Sequence, residues 1–286
     1  MQNPFLHLLG RRTELEIRRF GDAGAFLAER DSAPSAPTLL LLGREIPEGA
    51  REGDAVSAFV YQDSEARPLA TTKMPKLALD EVAFLRVTSV TSFGAFVDWG
   101  LPKDLLVPLA TQTKELHVGE RHPIGLYLDD RGRLTGTMRI SEMLSTRAEG
   151  FEQDEWVDGE AWRKDPEIGV FVIVERAFVG LIPAQEPNSL GRGDAARVRV
   201  TNILPDGKME LSLRAPIHEQ LEDDVDHVLD VLQRPGTPPV GDGSSPELLR
   251  DLFGLSKKAF KRALGRLLKQ GAVHVTPDGY VRLTKR

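Results

Sequence analysis

The chain has 286 residues, 41% hydrophobic and 28% charged, the make-up of a folded protein of two or more domains rather than a disordered one. Its longest apolar runs, Leu39–Leu42 and Val170–Val174, fall far short of the roughly 20 residues that span a bilayer, and the lack of cysteine excludes disulfides, thiolate metal sites and a thiol nucleophile. The net charge of −6 averages unlike parts: residues 256–286 hold nine basic residues and one acidic, which leaves −14 on residues 1–255. Such asymmetry points to an anionic partner for the C-terminal segment.

Taken in order, the chain opens with apolar Phe5–Leu9 followed by Arg11 and Arg12, the reverse of a secretory leader's order, so a cytoplasmic location is expected. A strand-rich layout then recurs three times, in units expected at 1–73, 76–145 and 150–214. The first runs through Gly24-Ala25-Phe26-Leu27, Leu39–Leu42 and Gly53-Asp54 to a hairpin turning at Asp63–Arg67. The middle one runs through Val82–Val90, Phe93-Gly94-Ala95-Phe96-Val97-Asp98, Leu105–Pro108 and Gly119-Glu120 to a hairpin turning at Asp129–Arg133. The third offers Gly169–Val172, Leu181–Pro183, Gly193-Asp194 and a hairpin turning at Pro205–Lys208. Apolar and polar residues alternate in Arg197-Val198-Arg199-Val200-Thr201, the signature of a half-buried strand. Roughly 60–70 residues and about five strands per unit match an OB-type barrel.

From Ile217 the period becomes helical. Leu221, Val225, Val228, Leu229 and Leu232 mark a first amphipathic helix, and the Pro- and Gly-rich stretch 234–245 ends it. Ser245 and Pro246 suit the start of a short helix closed by Gly254. Ser256 suits the cap of a third helix that Gly271 stops. Phe260, Ala263, Leu264, Leu267 and Leu268 are expected to face inward, with Lys257, Lys258, Lys261, Arg262, Arg266 and Lys269 opposite. Val273–Val275 and Tyr280–Leu283 around Pro277-Asp278-Gly279 read as a hairpin. The order is that of a winged helix-turn-helix over 216–286.

Enzyme signatures are lacking. Gly191-Arg192-Gly193 has neither the spacing nor the lysine of a P-loop, and His117 and His122 are spaced wrongly for two metal ligands on one helical face. The acidic run Glu222-Asp223-Asp224 with Asp226 lacks EF-hand spacing. No catalytic residue, metal or cofactor is expected.

The element from Phe93 to Asp98, followed by a Leu-rich strand and a Gly-Arg hairpin, resembles the S1 RNA-binding domain. Two longer strings, Phe59–Thr72 and Gly94–Pro108, with Gly254–Gly265 near the end, are similar to the bacterial conserved virulence factor B (CvfB, YitL) family. The resemblance implies a mainly β protein with a helical end: three tandem S1-type OB-fold barrels, then the winged helix. It implies aromatic stacking of RNA bases at Phe93 and Phe96, with Asp129 and Arg133 on the hairpin. A histidine common in S1 domains is replaced here by Pro108. The first repeat retains Phe26, Asp63 and Arg67, with Ala23 in place of the first aromatic. The third retains Phe171 and Lys208, with Ile168 and Leu204 at the other two positions. Alternation would put Phe93 and Phe96 on opposite strand faces unless Gly94 bends the chain. Trp99 is expected to pack.

The expected partner is single-stranded RNA, held by Phe93, Phe96, Asp129, Arg133, Phe26 and Arg67 together with Lys257, Lys258, Lys261, Arg262 and Lys269. The alternatives are duplex DNA at the winged helix, or ribosomal and RNA-processing proteins on acidic barrels. No membrane or small-molecule partner is expected.

Overall fold

The computed structural model describes residues 3–284; the side chains of residues 217–221, Leu221 among them, lie outside the description. The chain divides into two compact units, one ending at Leu213 and one beginning at Arg214.

The first unit is three five-stranded sheets of one plan. The first comprises β1 (Arg12–Gly21), β2 (Gly24–Glu29), β3 (Leu39–Leu42), β4 (Ala55–Gln62) and β5 (Pro68–Thr71). It closes as a barrel in the order β1-β2-β3-β5-β4, with a parallel β3–β5 pair. The middle sheet comprises β6 (Val82–Thr91), β7 (Gly94–Asp98), β8 (Leu105–Pro108), β9 (Arg121–Leu128) and β10 (Leu134–Thr137), ordered β10-β9-β6-β7-β8. The third comprises β11 (Trp156–Asp165), β12 (Gly169–Val174), β13 (Phe178–Pro183), β14 (Ala195–Ile203) and β15 (Met209–Ser212) and closes like the first.

The middle sheet lacks the parallel pair between β8 and β10. Side chains fill the seam instead: Gln112 Nε2 donates to Val107 O at 2.9 Å and Thr111 Oγ1 to Gly136 O at 3.1 Å. The backbone acceptors left by the missing pair are thereby satisfied, as burial requires.

Two local devices recur in all three sheets. The first strand carries a bulge, at Arg18, Thr88 and Trp162, where its register to the second strand slips by one residue. A glycine opens the second strand, at Gly24, Gly94 and Gly169. A Cβ there would stand 2.0, 2.5 and 2.0 Å from a carbonyl of the third strand, so only glycine permits the pairing.

Adjacent sheets share cores. Phe59 meets Trp99 edge-on with centroids 6.0 Å apart, and Gln62 bridges the hairpins, donating to Gly132 O and accepting from Leu134 N. Trp99 is buried in that cluster, a packing residue as expected. Between the middle and third sheets, Phe84, Val82, Ile140, Leu144 and Ile173 form a common cluster, and Val82 N donates to Arg176 O at 2.7 Å.

The second unit comprises α1 (Ile217–Gln233), α2 (Pro246–Phe253), α3 (Lys257–Lys269) and the hairpin β16 (Val273–Val275) and β17 (Val281–Leu283). Ser245 and Ser256 cap α2 and α3 through bonds from Leu248 N and Ala259 N, both 3.2 Å, and Gly254 ends α2 at φ 67°. Phe260, Ala263, Leu264 and Leu267 are buried, but Leu268, expected inside, is exposed: it falls one position past the buried stripe of α3. Within the stretch 234–245 that ends α1, Val240 O accepts from Val281 N and Gly241 bridges to Tyr280, adding an edge to the wing.

All three tryptophans lie in the first unit and, among the described residues, all three α-helices lie in the second, so fluorescence and helical circular dichroism report the units separately. Phe260 is fully buried, and Phe260→Ala is expected to destabilise the second unit by about 3–5 kcal/mol. In urea titrations the helical transition should move to lower denaturant while the tryptophan transition stays in place; a parallel shift of both would show that the units unfold together.

Candidate nucleic-acid interface

Three glycine-bearing second strands carry a phenylalanine each, and the bulge in the first strand decides what stands across from it. In the first barrel the pair is Arg19 and Phe26, in the middle Ser89 and Phe96, in the third Arg163 and Phe171. The arginines lie on the rings: Arg19 Cζ is 3.7 Å from the Phe26 centroid and Arg163 Cζ 4.4 Å from that of Phe171. A guanidinium so placed gains a cation–π contact and occupies the face that a base would use. Ser89 has no such reach, and among the described residues no guanidinium lies over Phe96, which is half-buried like the other two rings.

Beside Phe96 stands Phe93, 57% exposed, with centroids 6.1 Å apart and planes at 90°. The two rings therefore meet on one side of the barrel. Simple alternation does not hold, because Phe93 sits in the turn before β7 and its carbonyl accepts from Leu109 N at 3.1 Å. Val90 and Leu109 are exposed as well, so the ring pair lies among the exposed apolar side chains of the unit.

The hairpin pair has a defined geometry. Arg133 donates to Asp129 Oδ2 from Nε at 2.9 Å and Nη2 at 2.6 Å, while Asp129 Oδ1 accepts from the backbone of Arg131 and Arg133. Asp129 is the turn's anchor and the positioner of Arg133, whose side chain is half exposed. Partial burial pulls the Asp129 carboxyl upward, but the bonds from Arg133 outweigh it and hold the carboxyl below its ordinary range. Asp63 holds Arg67 in the same way, and Glu65 takes the other side of that guanidinium.

Phe96 and Arg133 line one groove of about 190 Å³ with Leu106 and Lys103. Lys103 was not foreseen in the sequence. Its Nζ donates to Asp63 O at 2.7 Å, and burial, partly offset by Asp63, lowers its ammonium pKa. The only signal for it is the pairing of the first and middle hairpins, which no local pattern encodes. Asp104 also lines the groove, with its carboxylate accepting from Thr88 Oγ1 at 2.7 Å.

Of the remaining expected residues, Phe26 has one face covered and Arg67 is tied in ion pairs. Phe26 and Arg67 are not brought to the Phe96 groove, although Ser64 and Ala66 of their hairpin are. In the third barrel Ile168 is exposed at the position of Phe93, and Lys208 pairs with Asp206 at 2.7 Å. In the second unit Lys258, Lys261, Arg262, Arg266 and Lys269 are exposed along α3 and Lys257 is half-buried; Lys261 reaches Asp242 at 2.7 Å. Among the described residues no group of three His, Asp or Glu is placed to hold a metal, and no helix is long and apolar enough to cross a membrane.

This is a protein of nucleic-acid-binding domain classes, S1-type barrels followed by a winged helix. An S1 domain model matches residues 9–73, and a CvfB-like winged helix domain model matches 226–283. The S1 match falls on the first barrel, although the Phe-Gly-x-Phe element stands in the middle one. The chain belongs to the CvfB/YitL family: it is 31% identical over 278 residues to YitL of Bacillus subtilis, covering 93% of this chain and 90% of that protein. It is 30% identical over 244 residues to conserved virulence factor B of Staphylococcus epidermidis, covering 82% and 81%. A Streptococcus pneumoniae multidomain protein with nucleic acid binding domains aligns over 97% of this chain and 99% of its own, at 27% identity and a TM-score of 0.41.

The folded Asp129 titrates below its unfolded value near 3.8. Its stabilising contribution is therefore complete above that value and fades as pH falls through the lower folded one. Asp129→Asn should cost about 1 kcal/mol at neutral pH, with the gap to the parent narrowing in acid. Urea midpoints of both proteins from pH 7 down to pH 3 check this; a gap independent of pH would contradict it.

Proposed function

We propose that this chain is a non-catalytic protein that binds single-stranded RNA across the middle barrel, stacking bases on Phe93 and Phe96. Arg133, held in place by Asp129, and Lys103 stand ready for the backbone on the same side. The observation that carries the reading is a ring pair that no arginine covers, with Phe93 exposed, in contrast with the arginine-covered rings of the other two barrels. Stacking on such rings contributes roughly 1–3 kcal/mol per base and tolerates any sequence, which suits single strands. The naming of its relatives as virulence factors fits a role as a cytoplasmic, post-transcriptional regulator of gene expression.

The body's −14 charge limits how much counterion release can add. Affinity should therefore depend more on stacking than on phosphate neutralisation, with a shallow salt dependence. A second reading places duplex DNA on α3, favoured by its row of exposed cations. Those are chiefly lysines, and no Asn or Gln precedes Gln270 on the helix, a composition suited to phosphate contact rather than to base readout.

Fluorescence polarisation with a 20-nucleotide RNA and duplex DNA of equal length separates the readings. RNA should be preferred, and Phe93→Ala should weaken it by about 5- to 150-fold, the equivalent of one lost stack. Ser89→Arg should weaken it comparably by laying a guanidinium on Phe96. Duplex preference unaffected by either change would favour α3, and binding to neither would leave protein partners.

A further inference from the structure

Of the described histidines His122 alone is buried, with 3% of its side chain exposed. It stands on β9 at the interior face with Ile124 and Leu126, across from Leu85 of β6. Its Nε2 is 2.7 Å from Glu120 Oε2. A carboxylate only accepts, so Nε2 carries the ring's hydrogen and Nδ1 is a lone pair. That Nδ1 is buried and has no partner among the described residues. The charged groups that face the ring are Glu120, Lys114 and Arg192, one carboxylate against two cations. A second proton would go to Nδ1, find no acceptor there, and add a third positive charge to the set. Burial first, and then the two cations, outweigh Glu120 and hold the imidazole below its ordinary value of 6.5.

Glu120 ends the connection between β8 and β9, residues 109–120. At the near end of this connection Leu109 N donates to Phe93 O, and Thr111 and Gln112 make the side-chain seam. At its far end Gly119 N donates to Val87 O and Val87 N to Glu120 O, both at 2.9 Å. Val87 directly precedes the bulge at Thr88, which sets Ser89 across from Phe96. Between the two ends, over 113–118, Leu116 is the one buried residue. One stretch of chain therefore touches the ring pair at its start and is held at its finish beside a buried histidine.

We propose that His122 and Glu120 form an acid-sensitive latch: the neutral ring keeps the 109–120 connection closed on β6, and protonation releases it and weakens single-strand binding at Phe93 and Phe96. The inference concerns the regulation of that site and rests on the RNA-binding reading of it. A folded His122 that takes its proton below the unfolded value stabilises the barrel fully above about pH 6.5. The contribution is lost as pH falls from there through the lower folded value. Asp129, held below about 3.8, stays ionised in the upper part of this range and does not imitate the effect.

The test compares the full chain with His122→Gln, Glu120→Gln and His117→Gln, using a 20-nucleotide oligouridylate, whose bases do not take up protons in mild acid. His122→Gln keeps an N–H for Glu120 and cannot become charged. Between about pH 7.5 and about pH 5.5 the parent should lose RNA affinity by about fivefold or more, and His122→Gln by less than about twofold. His117→Gln, at an exposed site, should lose affinity as the parent does. Glu120→Gln removes the carboxylate that favours the charged ring, so its acid loss should be deeper than the parent's. Amide exchange at Val87 and Gly119, corrected for the intrinsic rate, should rise about tenfold in acid in the parent, the equivalent of one pKa unit. Should His122→Gln fail to fold, the ring protons of His122 in the parent carry the test by NMR. They should titrate below about 6.5, with the exchange rise at the same midpoint. Titration at or above that value, or without a change in exchange, would overturn the latch. Equal acid loss in parent and His122→Gln, or a loss abolished by His117→Gln, would overturn it and leave the RNA reading intact. Failure to bind oligouridylate at about pH 7.5 would overturn both.

Discussion

The slip of one residue in the first strand of each barrel, beside a second strand whose opening glycine lets the third strand approach, fixes which residue faces each phenylalanine. Because side chains alternate across a strand, one extra residue moves all that follow to the other face. The slip brings Arg19, Ser89 and Arg163 across from Phe26, Phe96 and Phe171. The glycines then hold the second strand against the third too closely for any side chain. A shared backbone thus presents three rings in one manner, and a single facing residue sets whether an arginine lies on each.

Charge follows a matching economy. Several arginines of the first unit are tied to carboxylates: Arg67 to Asp63, Arg133 to Asp129, Arg121 to Glu160 and Arg176 to Glu81. Such exposed pairs add little stability, but they fix where a guanidinium points. Arg133 gains direction from its pair while half its surface remains open. Arg19 and Arg163 are positioned by rings instead, which satisfies their planar faces and leaves their charge unspent. An acidic body can therefore still offer local cationic surfaces.

Much of this was legible in the sequence, and the boundary is instructive. The three repeats, the caps at Ser245 and Ser256, and the basic row on α3 depend on local chemistry, so short windows reveal them. The co-facing of Phe93 and Phe96 was open in the sequence, because alternation and a glycine bend predict opposite results and only the turn geometry decides. Ser89 and Lys103 were silent. Ser89 matters through what it fails to cover, which requires knowing the bulge; Lys103 matters through a neighbouring barrel's hairpin some 40 positions away. Leu268 erred in the other sense, since an apolar residue at the margin of a helical stripe falls outside as readily as inside.

The missing strand pair of the middle sheet bears on the same surface. In the first and third barrels a parallel pair locks the third strand to the last, β3 to β5 and β13 to β15. In the middle sheet that closure is made by Thr111 and Gln112 side chains, and the segment carrying them begins with Leu109, bonded to Phe93 O. The ring pair and the side-chain seam thus lie on one connected stretch, from Phe93 through Leu109 to Gln112. The sheet whose phenylalanine pair carries no arginine is also the one whose seam is made by side chains, whereas the two barrels with arginine-covered rings are closed by backbone all the way round.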